Sequence, residues 1–146
     1  MKRNKLLFLF LLVLAGCSYS ENVGDFKMLN KAVENEHITI KELAFEQEKM
    51  NNLYPNLHTT GIEEGISLFN MDENNSYLLF NSKVVHYDNF SFHIKDRKLV
   101  IAYTSTSHIS GGEQSFFKIT KRTIQAFDTI VLINNGETDS FQMVYA

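Results

Sequence analysis

The chain has 146 residues, a formal net charge of −3, 44% hydrophobic residues and a single cysteine. This length is enough for one domain with its own hydrophobic core, and a single cysteine excludes an intramolecular disulfide. The acidic balance argues against nucleic-acid binding, which requires a basic surface.

The N-terminus has the pattern of a signal peptide. Lys2, Arg3 and Lys5 form a cationic head, and Leu6 to Leu14 are nine unbroken apolar residues. A charged head followed by a short apolar run is typical of secretory signals. The run falls well short of the roughly 20 apolar residues that a membrane-spanning helix needs, so we expect it to target the chain rather than to span a membrane.

The residues that follow this run, Leu14-Ala15-Gly16-Cys17, resemble the lipobox of bacterial lipoproteins. The resemblance implies a diacylglyceryl group on the Cys17 thiol and cleavage between Gly16 and Cys17. It also implies that the protein is located on the outer face of the cytoplasmic membrane. Two acyl chains anchor a protein there stably, whereas a single chain binds a membrane only marginally. The alternative is an ordinary secretory signal peptide with a chance cysteine.

These features predict three segments. Residues 1–16 are the signal peptide, residues 17–25 are the lipidated cysteine with a short polar tether, and residues 26–146 are one domain. Removing residues 1–16 takes away three cations and no acidic residue, so the formal charge changes from −3 to −6. We expect no cofactor, and we expect membrane contact through the lipid rather than through a cationic protein surface.

The first part of the domain, from Phe26 to Tyr54, predicts two helices. Thr39-Ile40-Lys41-Glu42 fits a capping box, in which Thr and Glu side chains satisfy backbone donors at a helix start. Pro55 is expected to end the second helix, because a proline disfavours helical backbone in the residue before it. Apolar residues at three- and four-residue spacing support both helices: Phe26, Leu29 and Val33 for the first, and Leu43, Met50 and Leu53 for the second.

The rest of the domain predicts about six strands. In one of them Phe90, Phe92 and Ile94 alternate with Ser91 and His93, which places the three apolar side chains on one face. The fold class is therefore α+β, with N-terminal helical segments followed by an antiparallel sheet. Polar turns are predicted at residues 72–75, 95–98 and 134–139, the last with an Asn-Gly turn signal. The remaining predicted strands are residues 76–80, 99–103, 116–119, 129–133 and 141–145.

Two groups of residues contain the side chains that commonly bind metals, but neither has the spacing that a metal site requires. The histidines His37, His58, His86, His93 and His108 show no HxH or HExxH spacing, although His86 and His93 could face each other across a sheet and recruit His108 or Glu113. Asp72, Asn74 and Ser76 have the alternation of a calcium loop, but Tyr77 and Lys83 stand where such a loop needs glycine and a bidentate carboxylate. We predict no metal site and a hairpin turn at Asp72.

Residues 104–113 predict a loop that binds a partner. Hydroxyl side chains and Gly111-Gly112 cannot contribute to a core, and binding residues concentrate on loops held by a rigid scaffold. A serine hydrolase is less favoured, since the chain has no GxSxG elbow. The candidate residues are Ser107, His108, Gly111, Gly112 and Glu113.

The stretch from Leu99 to Val131 around Gly111-Gly112 loosely resembles the C-terminal domain of the PrcB protease-complex family. In that family a strand leads into Gly-Gly-Tyr and a further strand, whereas Glu113 stands here in the position of the tyrosine. The later proline-containing strand of the family is also missing. The resemblance covers about 35 residues and implies at most a small surface-interaction module.

Two classes of function follow. The first is a non-enzymatic surface lipoprotein that binds a protein, a peptide or a cell-wall component. The second is a small envelope hydrolase that uses Glu63, Glu64, Asp72 or Glu73 as acid and base, which requires two carboxylates about 5 to 9 Å apart around a cleft.

Overall fold

A computed structural model describes residues 26–107 and 114–146, and it shows a protein built mainly of β-strands in two sheets. Sheet I has six strands in the order β1-β2-β7-β4-β3-β10, and sheet II has four in the order β5-β6-β8-β9. The strands of sheet I are β1 (Met28–Glu34), β2 (Ile38–Leu43), β3 (Gly65–Asn70), β4 (Asn75–Asn81), β7 (Ser115–Lys121) and β10 (Met143–Tyr145). The strands of sheet II are β5 (Val85–Lys95), β6 (Lys98–Ser107), β8 (Thr129–Asn134) and β9 (Glu137–Asp139).

The two sheets pack face to face around the main core. Because side chains alternate along a strand, the central strands β2, β3, β4 and β7 of sheet I each send apolar residues towards sheet II. Phe80 and Phe117 of sheet I meet Ile101 and Tyr103 of sheet II there, and all four are almost fully buried.

The outer face of sheet I carries a second core. Two short helices, α1 (Gln47–Leu53) and α2 (Leu57–Thr60), cover it. Met50 and Leu57 from these helices are buried against Tyr77 and Phe116 of the sheet. Sheet I is therefore buried on both faces, which explains the continuous apolar run from Tyr77 to Phe80.

The prediction of two helices over Phe26 to Tyr54 is wrong. Residues 28–34 and 38–43 form the hairpin of β1 and β2, and the predicted capping box at Thr39 lies inside β2. Leu29, assigned to a buried helical stripe, is 58% exposed. Alternating β-branched residues in Ile38-Thr39-Ile40 favour a strand, and the helical segment is reduced to α1, which ends before Pro55.

The predicted strands are confirmed within one or two residues at most positions, but their arrangement is not the single antiparallel sheet that we expected. The sheets contain two parallel pairings, β3 with β10 and β6 with β8. Strand β3, which the sequence reading missed, lies between β4 and β10. The fold is therefore mostly β, rather than α+β.

Hairpin turns lie within all three predicted segments, but the turn predicted at residues 134–139 is shorter than expected, because Glu137–Asp139 form β9. Asp96 and Arg97 join β5 to β6, and Asn135-Gly136 joins β8 to β9 with positive φ angles of 50° and 85°. These angles are those of a tight hairpin turn in which both central residues adopt left-handed backbone. Asp72 accepts hydrogen bonds from the backbone of Asn74 and Asn75, so the hairpin reading of that segment is confirmed.

Candidate functional site

The two long sides of the sandwich differ in how they are closed. On one side the chain crosses from β9 in sheet II to β10 in sheet I through Ser140–Gln142. The backbone N–H of Gln142 donates to the carbonyl of Ile66 at 2.8 Å. Phe141 of this crossover packs against the main core. We call this the closed side.

A partly buried hydrogen bond reinforces the closed side. The Tyr103 hydroxyl donates to Asp139 Oδ2 at 2.6 Å, and Asn134 Nδ2 lies 3.4 Å from the same oxygen. Burial, followed by the hydrogen bond to Asp139, raises the pKa of Tyr103 above its ordinary value. The phenol therefore stays protonated and can donate a hydrogen bond to the Asp139 carboxylate, which is an acceptor.

The opposite side of the sandwich is open. Its walls are β1, the edge of sheet I, and β5, the edge of sheet II, and within the part of the chain that the structure describes no strand pairs with the outer edge of either. These strands have 7 and 11 residues, whereas the edge strands of the closed side, β9 and β10, have 3 each. A groove of about 660 Å³ runs between β1 and β5, and we call it the β1–β5 groove.

Aromatic residues form the floor of the β1–β5 groove. Phe90 and Phe92 lie edge-on to buried Phe117, with ring centroids 4.9 and 5.2 Å away. Tyr87 packs on Phe80, with 5.2 Å between ring centroids. Tyr87, Phe90 and Phe92 are only partly buried, and so is Val33 on the β1 wall. The groove thus exposes part of the apolar core to solvent.

A bulge in β5 creates this aromatic floor. Tyr87 and Phe90 are three residues apart and would point to opposite faces of a regular strand, but the ladder with β6 shifts between Asp88 and Ser91. Asn89 takes left-handed backbone there, with φ of 54°, and its Nδ2 donates to Thr104 Oγ1 at 3.0 Å. The extra residue turns Tyr87 and Phe90 to the same side.

The lining of the groove includes charged residues of both signs. Glu42, Asp88 and Lys31 are among the described lining residues. Asp88 pairs in register with Thr104 and Tyr87 with Ser105, so the Asp88 side chain lies on the opposite face of β5 from Tyr87. Lys31 forms an ion pair with Glu34, and that hydrogen bond lowers the pKa of Glu34. Within residues 26–107 and 114–146, Glu42 forms no ion pair, and Asp88 has only His86, 3.8 Å away.

The predicted partner loop and the lipid attachment site fall largely outside the described residues. Ser107 is the exposed last residue of β6, whereas His108, Gly111, Gly112 and Glu113 lie outside the description. Gly16 and Cys17 do so too. The described residues that flank the loop, Ser107 and Gln114, are both exposed.

The structure does not bring His86 and His93 together. His86 and His93 lie seven residues apart on the same strand, β5, and pair with Thr106 and Val100 of β6, so they do not face each other across a sheet. In the described ranges, no group of three His, Cys, Asp or Glu side chains is placed to hold a metal ion.

The carboxylates considered for hydrolysis lie at two ends of β3. Glu63 and Glu64 precede this strand, and Asp72 and Glu73 follow it, with the six residues of β3 between them. Six extended residues span about 20 Å, well beyond the 5 to 9 Å that a pair of catalytic carboxylates requires. Hydrogen bonds from the side chain of Asn75 and the backbone of Asn74 also lower the pKa of Asp72.

A second cavity, of about 530 Å³, lies on the outer side of sheet I between α1 and β10. Tyr54, Met71 and Tyr145 line it, and the Tyr54 hydroxyl donates to the carbonyl of Asn70 at 2.7 Å. Burial raises the pKa of Tyr54 to about 12. The Tyr54 ring also packs against Phe69 and Tyr145, with ring centroids 5.2 and 6.3 Å away, so the hydroxyl and the ring of Tyr54 both have partners within the protein.

Comparisons with known proteins supply no relative. No protein-family model matches the chain, no curated protein is significantly similar in sequence, and no solved structure is significantly similar in fold. Among the described residues, none of the helices has the length and apolarity required to cross a lipid bilayer.

Proposed function

We propose that this protein is an extracytoplasmic lipoprotein, anchored through Cys17, that acts as a non-enzymatic binding module. Its ligand is an extended stretch of polypeptide that lies in the β1–β5 groove. The observation that carries the proposal is the open side of the sandwich, where two long edge strands border partly exposed aromatic residues of the core.

The chemistry of the groove supports a polypeptide ligand. Edge strands present unpaired backbone donors and acceptors, which an extended peptide can satisfy by adding a strand. Partly exposed Tyr and Phe side chains are enriched where proteins bind other proteins. The seven residues of β5 that line the groove, His86 to Phe92, span about 20 Å, which suits a peptide of about seven residues.

A binding role is favoured over the hydrolase for a geometric reason. The Glu63–Glu64 and Asp72–Glu73 pairs are separated by the length of β3, so one pair cannot assist the other at a scissile bond. Asp72 is also held in a turn by three donors from Asn74 and Asn75.

The anchor is tested by Cys17→Ala. We expect the variant either to stay unprocessed or to be released from the membrane, because the lipobox sequence Leu14-Ala15-Gly16-Cys17 provides the one thiol of the chain. Metabolic labelling with a palmitate analogue, followed by membrane fractionation, measures both effects. Normal maturation and unchanged membrane association of the variant would contradict a lipid anchor.

The groove is tested by filling it. Displayed random heptapeptides are selected on the full chain in detergent, and the selected peptides are measured against Ala32→Trp. Ala32 is exposed and lines the groove, so a bulky side chain there blocks the space without entering the core. We expect at least a tenfold loss of affinity with a melting temperature within about 2 °C of the original.

A matched control is Thr138→Trp, an equally exposed strand position on the closed side. It should leave the affinity of the selected peptides unchanged. If these peptides bind Ala32→Trp as well as the original chain, or if Thr138→Trp is the variant that loses them, the ligand does not lie in the β1–β5 groove.

A further inference from the structure

The two ends of the sandwich differ in chemical character. One of them, which we call the far end, is formed by the connections at residues 35–37, 71–74, 96–97 and 122–128. The backbone N–H of Asp128 donates to the Arg97 carbonyl and that of Arg122 to the His37 carbonyl, so residues 122–128 join both sheets there. Exposed charged side chains dominate this end: Glu36, Asp72, Glu73, Asp96, Arg97, Arg122 and Asp128.

The opposite end carries exposed apolar side chains. Met28 and Leu29 begin β1, Val84 lies in the connection from β4 to β5, and all three are more than half exposed. The register leads from Met28 through β2 and β7 to Leu79 of β4, close to where that strand ends. Met28 and Val84 are therefore about three strand spacings, or about 14 Å, apart on the same end of the molecule.

The exposure of Val84 is built into the fold. The Oγ of buried Ser82 accepts hydrogen bonds from the backbone N–H groups of Val84 and Val85 at 3.2 and 3.0 Å, which fixes the turn from inside. An exposed lysine precedes each apolar position, Lys27 before Met28 and Lys83 before Val84. Lysine can lay its apolar stem along such a surface and extend its ammonium group to lipid headgroups.

The lipid attachment site is connected to this same end. Phe26 is packed on Phe116, with 4.9 Å between ring centroids, and the Lys27 carbonyl accepts a hydrogen bond from the Ala44 N–H at 2.8 Å. Residues 17–25 therefore join Cys17 to the end at which β1 begins, which we call the anchor end. These nine residues span at most about 32 Å, whereas the 11 residues of β5 alone span about 36 Å. The tether is too short to run back along the sandwich and let the far end face the bilayer.

We propose that the anchor end docks on the phospholipid bilayer that holds the Cys17 acyl chains, with Met28, Leu29 and Val84 in the boundary between headgroups and acyl chains. This inference rests on the lipid anchor of the proposed function and goes beyond it, because it fixes the orientation of the domain. Glu63 and Glu64, exposed just before β3 at this end, oppose attraction to anionic lipid. Burial of apolar surface therefore drives the docking.

The test compares reporters at the two ends. Val84→Cys and Ile124→Cys replace matched apolar residues, 58% and 66% exposed, at the anchor end and the far end. Because lipidation occupies the Cys17 thiol, the added cysteine is the one that takes a maleimide fluorophore. The lipidated chain is reconstituted in phosphatidylcholine vesicles with brominated acyl chains, which quench a fluorophore that reaches them.

We expect quenching at position 84 to be at least about threefold greater than at position 124, because apolar residues of an interfacial contact enter the acyl boundary. The difference should persist between about 50 and 500 mM salt, since apolar contact is not screened. Replacing a quarter of the lipid with phosphatidylglycerol should not increase it.

A double variant removes the apolar contact while leaving the tether intact. Met28→Asn with Leu29→Asn, in the Val84→Cys chain, should lower the quenching at position 84 by at least about half. Ile124→Asn is the matched control at the far end and should leave this quenching unchanged. These positions are exposed, so melting temperatures should stay within about 2 °C of the original.

The possible results separate the orientation from the anchor on which it rests. Equal quenching at positions 84 and 124, in a chain that takes up the palmitate analogue, overturns the orientation and keeps the anchor. Quenching at position 84 that survives Met28→Asn with Leu29→Asn also overturns the docking, because the tether alone would then hold the domain near the bilayer. A Cys17 thiol that reacts with the maleimide in the original chain overturns the anchor itself. Sedimentation that shows a dimer broken by Leu29→Asn would overturn the inference by assigning the apolar residues to a second copy of the chain.

Discussion

The closed and open sides of this sandwich solve the same structural problem in different ways. Both must end two packed sheets without exposing the core. On the closed side, short edge strands and a covalent crossover cover it, and Tyr103 is tied to Asp139. On the open side, β1 and β5 are long, and aromatic residues remain partly exposed between them. The closed side thus has the features of a stabilising seam, and the open side has those of a binding surface.

The largest expected difference between the two sides concerns stability. Leu132 of β8 is 1% exposed in the sheet II wall next to β9, and Leu132→Ala should lower the free energy of unfolding by about 2 to 5 kcal/mol. Phe92→Ala on the open side should cost about 2 kcal/mol, less than a fully buried phenylalanine, because its ring keeps partial contact with water. Urea unfolding of the full chain measures both changes.

Ser91→Ala is the internal control for this comparison. Ser91 is exposed on the other face of β5, so its replacement should change the free energy of unfolding by less than about 0.5 kcal/mol. If Ser91→Ala and Phe92→Ala were equally costly, the inward placement of Phe92 would be wrong. If Phe92→Ala cost more than Leu132→Ala, the open side would be part of the stabilising core.

The alternation of Phe90, Phe92 and Ile94 was predictable because it is local, and the structure confirms it. The hairpin turns at Asp96-Arg97 and Asn135-Gly136 were predictable for the same reason. In contrast, the helices expected from Phe26, Leu29 and Val33 depended on a spacing that the fold does not use. Phe26, which precedes β1, packs on the outer core and Val33 of β1 packs on the main core, so residues that belong to two different cores produced a spacing like that of a helix.

The β1–β5 groove could not be derived from local patterns. Its walls lie more than 50 residues apart in the sequence and face each other only because β5 starts a second sheet. One local signal did point to it: Tyr87 and Phe90 flank Asp88-Asn89, and a break in alternation at an Asx pair is typical of a bulge. The parallel pairing of β10 with β3 could not be predicted either, because no local signal around Met143 identifies the strand with which β10 pairs.

A glycine on the closed side gives the next largest expected effect. Gly65 has a φ of 117°, a backbone conformation that residues other than glycine rarely adopt. A Cβ atom added there would also lie 2.9 Å from Gln142 Cβ of the crossover. Gly65→Ala should therefore lower the free energy of unfolding by about 1 to 3 kcal/mol. Thermal unfolding measures the loss. The paired variant Gln142→Gly removes the clash but not the backbone strain, so it should restore part of the stability; no recovery would show that the crossover does not press on Gly65.

The smallest expected effect, and the one that separates shape from stability on the open side, concerns the bulge at Asn89. Asn89→Ala places a Cβ without a hydrogen-bonding group at φ of 54°, and left-handed backbone costs such residues about 1 to 2 kcal/mol. Asn89→Gly relieves that cost but loses the bond from Nδ2 to Thr104 Oγ1, so its net effect should stay below about 1 kcal/mol.

Peptide affinity should depend on whether the bulge persists, rather than on how much stability the variant loses. If the bulge persists in Asn89→Gly, Tyr87 and Phe90 still share a face, and the peptides selected on the original chain should bind within about threefold. Thr104→Val removes the hydroxyl that Asn89 contacts while leaving the residue at the bulge intact, so it measures the share of the hydrogen bond alone. Equal losses of stability in Asn89→Ala and Asn89→Gly would show that the side-chain bond, rather than the left-handed backbone, holds the bulge. In that case Thr104→Val should reproduce the whole loss.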